Sequence, residues 1–160
     1  MSVSEQSLRE QFLDTWRISS RITLYLLDAV AGEALDDVAP TKGRSVGKTF
    51  AHLHNVRLMW LDSAAKDLSD GMAKFETDAA LDRASLRAAL EASASAIEML
   101  LGRGLETGKI KGFKPHPLAF LGYLTAHEAH HRGQIMLALK ANGHMVDKKV
   151  QFGMWEWGVR

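Results

Sequence analysis

The stretch Pro117-Leu118-Ala119-Phe120-Leu121-Gly122-Tyr123-Leu124-Thr125-Ala126-His127-Glu128-Ala129-His130-His131-Arg132-Gly133-Gln134-Ile135 decides both the fold and the chemistry of this chain. Phe120, Leu124, His127, His131, Ile135 and Ala138 recur at spacings of three and four, which places them on one face of an α-helix. Pro117 suits the first turn of that helix, and Gly143, just past Asn142, suits its end. His127 and His131 stand on the core-facing stripe with apolar residues above and below. One turn apart, their backbones are about 6 Å from each other, so both imidazoles can reach a single metal ion. Each buried imidazole needs partners for both ring nitrogens. The pair is therefore either neutral core histidine bonded to backbone or to itself, or two ligands of one ion. His130 turns away, toward a neighbouring helix or solvent.

Working outward, the rest of the chain also reads as helix. Residues 5–31 carry Leu8, Phe12, Trp16, Ile22, Leu26 and Val30 near helical spacing, with Gly32 as a stop. Residues 34–44, with Pro40, Gly43 and several aspartates, read as a loop. Ser45 is a candidate N-cap for a second helix carrying Phe50, Leu53, Trp60, Leu61, Ala64 and Leu68, ending before Gly71. Residues 72–81 form a connector. An alanine-rich third helix spans about 83–101 on the stripe Leu86, Leu90, Ala94, Ile97 and Leu101, closed by Gly102, Gly104 and Gly108. Residues 105–114 read as a solvated loop or short hairpin, and 144–160, with Phe152, Trp155 and Trp157, as a tail folded back over the helices. Long helices joined by loops, with no convincing strand pair, predict an all-α four-helix bundle in one domain, 1–160.

Composition narrows the function. At 160 residues the chain can bury a real core, and a formal charge of +1 gives no electrostatic argument for nucleic acid. The absence of cysteine excludes disulfides, thiolate metal sites and a cysteine nucleophile. The N-terminal residues Met1–Gln6 carry no export signal, and no apolar run approaches the roughly 20 residues that cross a bilayer. A cytoplasmic protein is expected.

A catalytic metal site of the zinc type takes three protein ligands and keeps one position open. For the third ligand, His116 and His144 lie too far along the axis of the fourth helix. His52 and His54 both lie in the second helix, about 200° apart, so only one can face the core. Periodicity favours His52, which shares a face with Val56, Met59 and Trp60, over His54, which shares one with Arg57 and Leu58. Glu128 offers either a partner orienting a ligand ring or a carboxylate in solvent. Arg132 is expected to pair with an acidic neighbour, and Trp60 to sit in the core or a pocket wall.

Residues 127–131 also spell H-E-x-x-H, the zinc-protease motif, with Glu128 as general base. The surroundings are unfavourable. The extended form of the motif would place glycine at 134 and histidine at 137, where the chain has Gln134 and Leu137. A downstream carboxylate ligand would have to be Glu156 in the tail, and no strand pattern offers an edge to a peptide.

Two segments together, Ser45-Val46…Ala51-His52-Leu53…Arg57…Trp60-Leu61 and Ala126-His127…His130-His131-Arg132-Gly133-Gln134-Ile135, resemble the DinB/YfiT-like family. In that family a histidine followed by an apolar residue precedes a tryptophan by eight positions in the second helix, and H-x-x-x-H-R-G-Q lies in the fourth. The resemblance implies an up-down-down-up bundle, often a homodimer, with a divalent metal such as zinc or nickel held by His52, His127 and His131. It also implies thiol-dependent chemistry on small electrophiles, as in transferases that use low-molecular-weight thiols. A non-catalytic metal-binding stress protein is the alternative within the same family.

Overall fold

The computed structural model describes residues 3–160, with side chains from residue 7 onward; the rest of the polar stretch Met1–Gln6 lies outside that description. Four long helices carry the structure: α1 (Val3–Ala29), α2 (Val46–Ala64), α3 (Arg83–Thr107) and α4 (Pro117–Ala141), followed by the short α5 (Lys148–Gly153). Among the described residues there is no strand, only an isolated bridge between Ile110 and Phe113. Among the described residues no helix is long and apolar enough to cross a membrane.

The helix starts are written in the sequence. Ser45 caps α2 by accepting from the Lys48 N–H, Asp82 caps α3 by accepting from Ser85, and Asp147 caps α5 by accepting from Val150. At α4 the Nδ1 of His116 accepts from the Ala119 N–H, directly before Pro117 at the first helical position. Each cap satisfies one of the N–H groups a helix start leaves unpaired.

Cross-helix pairs give the directions. From Arg9–Glu106 through Arg17–Glu98 to Asp28–Arg87, numbers rise on α1 as they fall on α3, so the two are antiparallel. Thr23 bonds Glu128 and Arg132, while Phe12 shares a cluster with Phe120 and Leu26 one with Ile135, so α1 and α4 are parallel. Arg57 meets Leu90 and Ser93 while Leu61 packs with Ile97 and Leu101, so α2 and α3 are parallel, joined by the crossover 65–82. The order is up-down-down-up, as expected. Two apolar clusters fill the bundle, one around Leu26, Phe50, Leu53, Leu90 and Leu139, the other around Trp16, Leu61, Ile97, Leu101 and Phe120. Each such side chain taken from water stabilises the fold by about 1.5–3 kcal/mol before entropy is counted.

Several boundaries differ from expectation. Leu8 is exposed rather than core. The second helix stops at Ala64, and Lys66–Leu68 form a separate 3₁₀ turn. The third runs six residues beyond Leu101, to Thr107, and only Gly108, at φ 71°, closes it. Gly102 and Gly104 lie buried inside it. The reason is a close approach: a Cβ on Gly104 would strike the side chain of Ile110, which folds back onto α3 and is 2% exposed. The segment read as a solvated loop is mostly exposed, but Ile110 and the half-buried Phe113 anchor it to the second apolar cluster. The tail does fold back, with Arg160 over the Tyr25 ring at 3.9 Å and Arg21 donating to the Arg160 carbonyl at 2.7 Å.

Candidate metal centre

The antiparallel pairing of α2 with α4 brings His52 opposite His127 and His131. Each of the three offers one nitrogen, and these atoms all lie within 4.8 Å of one another. Ring centroids are 4.6 Å apart for His52 and His131, 5.5 Å for His52 and His127, and 4.5 Å for His127 and His131. The Nε2 atoms of His127 and His131 face each other at 3.1 Å. On its far side His131 Nδ1 meets Gln134 Oε1 at 2.8 Å. An amide oxygen only accepts, so Nδ1 carries the ring proton and Nε2 turns a lone pair inward. Tyr123 stacks on His127 at 6.0 Å, the near end of an aromatic group with Trp60, Phe113 and Phe120. His131 is buried; His52 and His127 are half-buried, so the cluster sits at the rim rather than in the core.

All three imidazoles favour the neutral form. Burial, then the Arg44 charge, then the other two histidines push His52 down to about 4. Burial lowers His127 and His131 as well; the neighbouring rings add to this, while Gln134 works against it at His131. Neutral imidazole is the ligand form.

The route by which periodicity selected His52 does not hold. The buried face of α2 is Phe50, Leu53, His54, Arg57, Leu58 and Leu61, the face assigned to His54, while Met59 is exposed. His52 is nevertheless the residue that joins the pair, because it lies on the flank of α2 that borders α4. His54 is spent elsewhere: its Nε2 lies 3.0 Å from the Ala73 carbonyl. Beside it Asn55 makes two 2.9 Å bonds with the Phe75 backbone, so both residues hold the crossover against α2. His130 is exposed, His116 serves as a cap, and His144 lies 2.7 Å from Asp37.

Glu128 and Arg132 are also corrected. Glu128 is 1% exposed, neither in solvent nor turned to a histidine. Its Oε1 accepts from Arg57 Nε at 2.7 Å and its Oε2 from Arg57 Nη2 at 3.0 Å and from Thr23 Oγ1 at 3.1 Å. That double engagement removes it from the general-base role of the H-E-x-x-H reading. Arg57 further donates to the Leu90 carbonyl and Ser93 Oγ and lies 5.0 Å over the Trp16 ring. Arg132 forms no salt bridge among the described residues; its Nη1 donates to Thr23 Oγ1 at 2.9 Å. Sequence reasoning gave Arg57 no structural part and Gln134 no role. The signal for Gln134 was present, since a residue three after a helical histidine lies within its reach.

The donor set suits a divalent metal: three uncharged imidazoles, His131 held in the ligating tautomer by Gln134, and His127 turned to it at hydrogen-bond distance through the same nitrogen. Glu128 is engaged by Arg57 and Thr23, His54 Nε2 is engaged by the Ala73 carbonyl, and the exposed His130 ring lies 5.0 Å from that of His131 without joining the three. No curated protein matches the chain. Among solved structures it superposes on a DinB-like protein from Bacillus cereus ATCC 10987 with a TM-score of 0.65 at 22% identity, covering 86% of this chain and 95% of that one. With the fold shared and the DinB family pattern matching residues 1–149, the chain belongs to the DinB family.

Proposed function

We propose that His52, His127 and His131 bind one divalent cation, zinc or nickel, and that the protein uses it in thiol-dependent transfer to a small electrophile. The observation that carries this is the convergence of three neutral imidazoles from two helices at the rim of the bundle, the one such group of possible metal ligands among the described residues. A cation held by three uncharged ligands keeps its positive charge and lowers the pKa of a thiol or water beside it, which supplies a nucleophile at neutral pH. Gln134 keeps the His131 lone pair directed inward. In the adjoining cluster, the Arg57–Glu128 pair holds α2 to α4 and so fixes the distance from His52 to the other two. Tyr123 and Trp60 give the apolar side against which an electrophile rests. In the transfer, sulfur bonds to the electrophilic carbon, the leaving group departs with its electron pair, and the thiol proton passes to solvent. The same reading takes the protein as cytoplasmic, as one domain over 1–160 and as a homodimer whose co-substrate is a low-molecular-weight thiol.

A three-histidine set favours this over a non-catalytic metal protein, where a fourth side chain would be expected to join the group. Elemental analysis after exposure to zinc or nickel tests the site: one equivalent in the wild type and none in His52→Ala or His131→Ala. Retention in His52→Ala would leave only the pair on α4 and defeat the proposal. Loaded protein incubated with low-molecular-weight thiols and an aryl halide should then form the thioether; stoichiometric metal with no turnover across such thiols would support the non-catalytic reading.

A further inference from the structure

On the opposite side of α4 from the histidines, a cavity of about 350 Å³ lies between α4, Ile22 of α1 and the C-terminal segment. Met136, Met154, Trp155 and Trp157 are among its apolar lining. That volume falls within the range of small-molecule sites, about 300–1,000 Å³. Arg132 also lines it, and Arg132 is 8% exposed. Arg57 and Glu128 neutralise each other, so Arg132 is a second buried cation with no carboxylate at ion-pair distance among the described residues. Among the described residues its one protein acceptor is Thr23, and its remaining donors are not sealed from solvent. A buried charge without a counter-charge is costly, and the cavity is where one can enter.

A second polar group faces the same problem. Thr125 Oγ1 is buried with no partner, and Thr125 lines this cavity. Helical side chains lean toward the N-terminus of their helix, which carries the Arg132 guanidinium back toward Thr125, about two turns earlier. A guanidinium without a counter-charge and a hydroxyl without a partner thus line one cavity whose other walls are apolar apart from Gln151.

We infer that this cavity binds a small monocarboxylate with an apolar body, its carboxylate on Arg132 and the Thr125 hydroxyl and its hydrocarbon part against Met136, Met154 and Trp157. A planar, singly charged carboxylate matches the fork of one guanidinium. A phosphate would bring up to two charges to one cation and no apolar part to fill the wall.

Titration with sodium octanoate tests the inference, followed by calorimetry and by the fluorescence of the tryptophans at the cavity. Octanol serves as the uncharged counterpart and inorganic phosphate as a competing anion. The expected results are saturable octanoate binding, at least about tenfold weaker octanol binding, and no displacement by equimolar phosphate. Arg132→Met should weaken octanoate by about tenfold or more and leave octanol unchanged. Because Arg132 touches a buried network, Ala129→Phe is the second variant: it fills the cavity from the surface of α4 and should abolish binding with the helical circular dichroism intact. His52→Ala should bind octanoate as the wild type does. Absence of octanoate binding, equal affinity for octanol, displacement by phosphate, indifference to Ala129→Phe, or loss in His52→Ala, which would put the carboxylate at the histidine centre, would each overturn it.

Discussion

The same two helices build two adjoining polar clusters, with Glu128 next to His127 in the chain, and the two are opposites. At Arg57 and Glu128 the side chains are 1% exposed and every oxygen and most donors of the pair are engaged, out to Thr23, Ser93 and the Leu90 carbonyl. At His52, His127 and His131 two rings are half-exposed, and two nitrogens face each other with nothing else between them. The first cluster is complete and joins α2 to α4; in the second, His127 and His131 bond only each other and Gln134, at a half-exposed edge. A polar group that a fold needs is saturated by the fold, whereas one kept for a ligand is left with unfilled capacity at an accessible edge.

That contrast can be broken from either side. The largest effect should come from Glu128→Ala, which strands Arg57 in the interior and should cost about 3–5 kcal/mol in urea unfolding. The double change Arg57→Met with Glu128→Leu should recover most of that loss; a double variant as unstable as the single would show that the charges themselves, not their pairing, hold α2 to α4. Next, zinc or nickel at about 100-fold its dissociation constant should stabilise the wild type by roughly 2.7 kcal/mol, read as a rise in melting temperature. The same metal should leave His52→Ala unmoved. Gln134→Ala should weaken metal binding by about tenfold to a hundredfold while metal-free stability stays as it was, because Gln134 is exposed and acts on the ring of His131 alone.

The smallest effect is on pH. His52 stays neutral in the fold down to about 4, against an ordinary 6.5, and His127 and His131 shift the same way. Between those values the unfolded chain takes up protons that the folded chain refuses. The contribution is therefore complete above about 6.5 and is lost as pH falls toward about 4. Half-exposure keeps it modest. Urea midpoints of metal-free protein should fall between pH 7.5 and pH 5, less steeply in His52→Ala; an unchanged slope would separate the pH response from the cluster.

The fourth helix was legible almost residue by residue, because everything that defines it is local: Pro117 at its first position, the stripe of Phe120, Leu124 and Ile135, and the histidine pair at one-turn spacing. The rotation of α2 was not. A charged residue in a helix reads as its wet side, and Arg57 made the buried face of α2 look solvated. The residue that permits its burial, Glu128, lies 71 positions away on α4. Gly102 and Gly104 misled for a similar reason. Glycine usually ends a helix, but here Gly104 makes room for Ile110, a packing demand that no helix propensity contains. The third histidine came from the paired motifs, since the helical stripe pointed to His52 on the strength of the wrong face.

The clasp between α2 and α4 has a consequence for how the protein is made. During synthesis α1, α2 and α3 are complete before residue 117 is added, and at that stage the chain holds His52 alone of the three. The bundle is missing one of its sides and the cluster two of its rings until α4 docks. Whatever the imidazoles receive can therefore be loaded only after translation has passed the fourth helix. A growing chain, with its core half open, offers no three-point trap for stray cations.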